Sequence, residues 1–519
     1  MYNRGLFKAH IPPFLQFVIM FIFGFVLVNV YAVYPGNAAE IYSTLGWSSG
    51  VITSANNTMI IGMALTFPLI LRVKMVLKAQ AKLFWGCLLL AALSIVSIYN
   101  TSYIMLLVIS FSMGVIKMNC LSEFTLLFIT IVTQKTGAKV KSYAYFYAVL
   151  YAIVAMGTFV AIYSAYGFSW ERTCVVFAIL LVLCAILTLF TVHASSFSKY
   201  YPLYYIDWFS VACLSLGFAL WSHLFAFIQE YNWFYGDYRG FLYGISGLLL
   251  IVLGMIRQRY LKRQFWQLIT MKKRNVWVAA IFIFTIGIYQ GASGFDTLMM
   301  SSVLRYDTLT VGKVNLAMIP GSLLAGAMGL LLLKKDNQGL KTFVILGFSV
   351  FILQYAVSYF YIHPQLTIGY FYFTHFMRAL AIGILYIGLW HYLTMGLELN
   401  DSLSIMSLML IVRTFLALAI FSALYSYLSY VLQKTSVGEQ ALFINFSYVE
   451  NSANISLSAV QQQALLASFK TIYGYILLAS IPVMTVVSLH GFGLFQWKVS
   501  IQMRRLWVKL NRKERRVVG

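Results

Sequence analysis

Charge is scarce in this chain, and negative charge scarcer still. Only 10% of its 519 residues are Asp, Glu, Lys or Arg, and the acids number 14. A soluble domain carries roughly 25% charged residues, so a water-soluble globular protein is excluded. There are five cysteines (Cys87, Cys120, Cys174, Cys184 and Cys213). All sit in apolar runs without metal-ligand spacing, which implies packing residues and no disulfide framework, metal site or cofactor. No Gly-x-x-x-x-Gly-Lys-Ser/Thr segment occurs, which disfavours an ATP-driven pump. The polar loops offer Asp237, Asp307, His363 and Glu450 singly. Without clustered carboxylates, a membrane-embedded transferase is a minor reading. What the chain does have is 61% hydrophobic residues and a mean hydropathy of +0.82. It reads as an all-α integral membrane protein.

Runs of about 18 or more apolar residues place membrane helices near 12–34, 47–71, 80–98, 104–133, 140–165, 169–193, 204–229, 236–256, 277–303, 311–333, 342–362, 366–393, 402–428 and 469–491. Charge supports an even count. With the N-terminus inside, 28 Lys and Arg fall on inner segments against at most six (Arg172, Arg239, Arg305, Lys313, Lys434 and Lys470) on outer ones. The expectation is a multi-pass protein of the plasma (inner) membrane with both termini cytoplasmic. The net charge of +23 then reflects topology; scattered over short loops, it does not indicate nucleic-acid binding. The first run exceeds twenty residues and lacks a small-residue cleavage site, so it reads as a permanent helix.

Six helices (residues 1–199) precede two additional linker helices (200–262). A further six follow (263–519), with a long polar outer loop at about 429–468 and a basic cytoplasmic tail. Two six-helix halves related by pseudosymmetry, with a substrate site between them, are a common plan of secondary transporters.

Local patterns carry a resemblance. The segment "YGFSWERTCVVFAI" holds Trp170 and Arg172 in an aromatic-Trp-Arg junction, and "YYIDWF" gives Asp207 and Trp208 at the entry of the seventh helix. "LRYDTLTVGKVNLAMIPGSLLAGAMG" carries Gly312 and Pro320, and "SLMLIVRTFLALAIFSAL" surrounds Arg413. Together they resemble the fourteen-spanning drug/proton antiporter branch of the major facilitator superfamily over most of the chain. The likeness implies the major facilitator fold, alternating access, a small-molecule substrate and protons as coupling ion. Some relatives in double-membraned bacteria use a periplasmic adaptor protein, so the resemblance leaves room for that partner. Two departures stand out. The segment "FPLILRVKMVLKAQAK" keeps the basic residues of the helix 2–3 loop and loses its acid, and "AMGTFVAIYSAYG" retains Gly157 without the expected proline. Proton-coupled export of amphipathic compounds is the main expectation, with a lipid or glycolipid flippase as alternative.

Ionised side chains at mid-bilayer cost at least about 2.5–3.5 kcal/mol on insertion scales, so they are paired or face a wet cavity. The candidates are Lys117 and Glu123 in the fourth span, Asp296 in the ninth, Arg378 with His375 in the twelfth, and Arg413 in the thirteenth. Lys117 and Glu123 are six residues apart, about 600° of helix rotation, so each needs its own partner. His375 and Arg378 share a face. Asp296 is the proton-coupling candidate, with neutralisation of an arginine as the alternative. Arginine forks suit carboxylates and phosphates, pointing to an anionic or zwitterionic substrate. Arg413, Asp207, Trp170, Arg172, Gly157 and Pro320 are motif residues expected to be structural. Tyr289, Met299 and Met300, on the Asp296 helix, are further candidates for a cavity lining.

Overall fold

In hydrocarbon a spanning segment must satisfy its own backbone, and this sequence does so with helices. The computed structural model describes residues 6–136, 139–194, 206–261, 264–267, 270–333, 339–441 and 457–492. Among the described residues thirteen helices are long and apolar enough to cross a membrane: α2 Ser49–Val76, α3 Ala79–Ile98, α4 Tyr103–Gln134, α5 Val140–Gly167, α6 Trp170–Thr191, α7 Trp208–Ala226, α8 Tyr238–Tyr260, α9 Arg274–Val303, α10 Thr308–Leu332, α11 Leu340–Tyr361, α12 Ile368–Thr394, α13 Leu399–Gln440 and α14 Ala459–Leu489. Ahead of them α1, Pro13–Asn29, is a shorter apolar helix of 17 residues. It breaks where the Ala32 amide reaches back only to the Asn29 carbonyl, and a turn over Val33–Gly36 extends it. Helices therefore occupy all fourteen expected positions.

One expectation changes. Within the polar segment at 429–468 the described residues, 429–441 and 457–468, are helical, because the helix of α13 runs to Ala441 and another starts at Leu457. Proline is absent from both stretches, and "LSAVQQQALLAS" is rich in the strong helix formers Ala, Leu and Gln. The rest of that segment (442–456), most of the junction before α7 (195–205) and the basic tail from 493 lie outside the described residues.

Two cores define two halves. Phe23, Leu27, Leu83, Leu106 and Leu181 centre the bundle of α1–α6. Phe282, Phe343, Phe348, Ile384 and Leu385 centre that of α9–α14. The halves meet along two seams, α5 against α10 and α12, and α2 against α13. Across the first, the Tyr143 hydroxyl lies 3.1 Å from Thr394 Oγ1; across the second, Ser407 Oγ donates to the Ala64 carbonyl at 2.7 Å. Helices α7 and α8 form a hairpin whose first member packs on α2. A third apolar cluster, including Leu65, Leu214, Phe218 and Phe415, joins the hairpin to the second seam.

Lipid offers no hydrophobic drive for helix association, so close approach depends on small residues. On α4, Gly114 faces the Met59 carbonyl of α2 with no room for a side chain, and Gly62 returns the contact against Phe111. A Gly114→Val variant is expected to lose about 1–3 kcal/mol, as overpacking does elsewhere. Thermal unfolding in detergent reads this; an unchanged midpoint refutes the tight contact.

Candidate functional site

Two helices depart from α geometry where the charges sit. In α9 a 3-10 turn at Gly291–Ser293 precedes Asp296, and a π turn at Met299–Val303 follows it. In α13 the π turn Ile411–Ala417 contains Arg413. Such interruptions cost backbone regularity and recur at functional sites. The two helices approach closely here: Gly287 lies against Ala417 and Gly291 against Phe421, each too close for a side chain. Asp296 thus lies on a short α segment between two irregular turns, and Arg413 lies within one.

Arg413 points into an aromatic cage assembled from both halves. Its guanidinium lies over the Tyr386 ring of α12, 4.6 Å from the centroid, with Tyr147 and Tyr151 of α5 close by. Tyr151 and Tyr386 stack nearly parallel, at 6.2 Å and 10°. Tyr147 stacks on Trp390 at 6.5 Å. The Tyr386 hydroxyl donates to Gln290 Oε1 of α9 at 3.4 Å. Among the described residues no carboxylate lies within ion-pair distance of Arg413. A desolvated cation–π contact is worth about 2 kcal/mol or more, while the arginine's mid-bilayer insertion costs about 2.5–3.5 kcal/mol. Arg413 is only partly buried, so the ring offsets part of the cost without neutralising the charge.

Asp296 and Arg378 are brought together. The carboxylate accepts a short charge-assisted hydrogen bond from Arg378 Nη2, and its other oxygen faces the Tyr473 hydroxyl of α14 at 3.4 Å. Both side chains are buried within the second half. His375, one turn before Arg378, has Nδ1 3.0 Å from the Phe371 carbonyl. It stays on its own helix. Tyr289 donates to Ser480 at 2.9 Å and stacks on Phe351 at 4.7 Å. Together with buried Met299 and Met300 it belongs to the core of this half. The expectation that these three line a cavity is corrected.

Lys117 and Glu123 have separate partners, as their spacing requires. Lys117 Nζ donates to the Val28 carbonyl at 2.7 Å. That carbonyl sits where α1 breaks, so the ammonium caps an acceptor that the helix leaves open. Glu123, on the next turns toward the C-terminal end of α4, binds Lys74 at 3.0 Å and Lys82 at 2.5 Å. All three are buried. Two lysines that read as loop charges are therefore internal, and Glu123 supplies them the negative charge that the α2–α3 connection lacks.

The motif residues each make a local contact. Trp170 Nε1 donates to Thr44 at 3.2 Å, and its amide donates to Glu40. The Arg172 amide donates to Ser169 Oγ, which caps α6. Asp207 caps α7 and pairs with Arg257 at 3.2 Å. Gly157 accommodates the Asn29 side chain, which donates to the Ile153 carbonyl at 3.1 Å. Pro320 stands just inside the second segment of α10, Met318–Leu332, where a missing amide is tolerated.

The aromatic cage escaped the sequence reading, although a signal was present. Tyr147 and Tyr151, like Tyr386 and Trp390, are four apart, which puts each pair on one helix face. Only the fold shows that these faces oppose each other.

No family model and no curated protein matches the sequence. Solved structures do match. The nucleoside transporter NupG aligns at a TM-score of 0.53 and 12% identity, over 91% of this chain and 99% of its own. The human organic anion transporter MFSD10 (TETRAN) aligns at 0.53 and 11%, over 91% and 100%. Tetrameric PepTSo2 aligns at 0.53 and 11%, over 94% and 98%. All three are major facilitator transporters. At such identities the likeness is one of fold, and it establishes the architecture of this chain as the major facilitator fold, two six-helix bundles carrying two extra helices.

Proposed function

We propose that the chain is a secondary transporter of the major facilitator superfamily. In this reading it moves small organic anions or zwitterions by alternating access, with proton-coupled export as the direction that the drug/proton antiporter resemblance suggests. One observation carries it: Arg413 lies where the two halves meet, ringed by aromatic faces, with no described carboxylate to neutralise it. A planar carboxylate or phosphate completes such a fork, and tyrosine faces suit an organic body attached to it. The protein of like fold that is named as an organic anion transporter is consistent with this class. The test is a panel of anionic, zwitterionic, neutral and cationic compounds assayed in proteoliposomes, with the proton gradient present and collapsed. Preference for neutral or cationic compounds overturns the reading.

Asp296 is the proposed proton carrier, because its ion pair with Arg378 gives protonation a defined consequence. Once neutral, the carboxyl releases the arginine. In Asp296→Asn, gradient-driven accumulation in everted vesicles is expected to fall to the equilibrium level. Counterflow exchange, which needs no proton, is expected to persist and to show that the variant is folded. Accumulation at the wild-type level removes Asp296 from coupling.

A further inference from the structure

At 42 residues α13 is far longer than a bilayer requires. At 1.5 Å per residue it extends about 63 Å, against a hydrocarbon core of about 30 Å. Its last turns, with the start of α14, project beyond the membrane on the face that charge asymmetry assigns to the outside. Between this collar and the end of α9 lies a cavity of about 630 Å³. It is lined by Ser302 in the last turn of α9 and Arg305 just past it, Gln433 and Lys434 on α13, and Gln461 and Gln462 on α14. The volume fits a metabolite-sized molecule.

The charge here is not explained by topology. Outer segments carry few cations, and two of them, Arg305 and Lys434, converge on one cavity. Two others on that face are engaged elsewhere: Arg239 pairs with Asp237 at 2.8 Å, and Lys470 lies over the Tyr359 ring. No carboxylate among the described residues lies within ion-pair distance of Arg305 or Lys434. Asp307, two residues past Arg305, accepts from the Thr310 amide. Glu439 follows Lys434 by five positions, about 140° away around the helix. Arg305 also holds a left-handed backbone, φ +53°, which a side chain rarely adopts.

We propose that this collar cavity is a binding site for a carboxylate or phosphate group, held between Arg305 and Lys434 with glutamine amides as further donors. It is separate from the Arg413 cage and does not depend on it. The chemistry admits two sources, a soluble anion or an outer-leaflet lipid headgroup. The test uses the full chain in nanodiscs of phosphatidylcholine, with thermal unfolding followed as inorganic phosphate or benzoate replaces chloride at constant ionic strength. A parallel set of nanodiscs contains phosphatidylglycerol. We expect a saturable rise in Tm, with the midpoint concentration raised at least about tenfold in Arg305→Gln/Lys434→Gln, as loss of charge-assisted bonds implies. Arg413→Gln is expected to keep the rise. A rise with phosphatidylglycerol alone, lost in the double variant, supports the site with a lipid headgroup as occupant. No rise with either source, an equal rise in the double variant, or loss of the rise only in Arg413→Gln overturns the proposal.

Discussion

Arg413→Gln is expected to reduce transport of an anionic substrate on the order of 30- to 150-fold. That corresponds to about 2–3 kcal/mol for removing the charged partner of a partly buried contact. The magnitude follows from the surroundings. The guanidinium lies over Tyr386, has Tyr147 and Tyr151 close by, and has no described carboxylate beside it. Arg413→Lys is expected to fall between wild type and glutamine, because an ammonium keeps the charge but loses the planar stack and the two-pronged hydrogen bonding. Tyr386→Phe keeps the ring and removes the hydroxyl that reaches Gln290, so a smaller, several-fold loss is expected. Initial rates in proteoliposomes, normalised to folded protein, provide the measurement. If Arg413→Gln lowers only the melting temperature and leaves rate and substrate preference per molecule unchanged, the arginine is scaffolding and the proposed site is wrong.

Glu123→Gln is expected to be the most destabilising conservative change in the first half, at about 3–5 kcal/mol. Breaking a buried ion pair leaves uncompensated charge behind, and here one carboxylate serves two buried ammonium groups. The amide that replaces it faces Lys74 and Lys82 with one acceptor oxygen and no charge. Thermal unfolding of the purified protein shows the effect as a lower midpoint. Adding Lys82→Met to Glu123→Gln is expected to restore part of the loss, since it removes one unpaired cation and leaves an apolar side chain in its place. Stability equal to wild type in Glu123→Gln would show that the two lysines reach water or other partners.

The sequence discloses different parts of this molecule to different degrees. Helix positions were legible because the bilayer imposes a length and a polarity that composition alone displays. Where α13 continued past its expected end, hydropathy was the wrong guide: the projecting turns around Lys434 are polar, and only helix propensity announced them. The separation of Lys117 from Glu123 was legible from rotation per residue. Their partners were not, because Lys74 and Lys82 read as loop charges until the ends of α2 and α3 turned them inward. Arg413 was expected to be structural from the motif around it. The opposing face of α5, more than 260 positions earlier, is what places it among aromatic rings. Asp296 and Arg378 are 82 residues apart, and nothing in their local sequence selects that pairing over the others available.

The hairpin of α7 and α8 makes the two lines of contact between the halves unequal. The α2–α13 seam is covered by the hairpin, which sets Leu214 and Phe218 against Leu65 and Phe415. Among the described helices the α5–α10 seam has no such cover. The side of the bundle built on the helix that carries Tyr147 and Tyr151 is therefore the one that the extra helices leave bare.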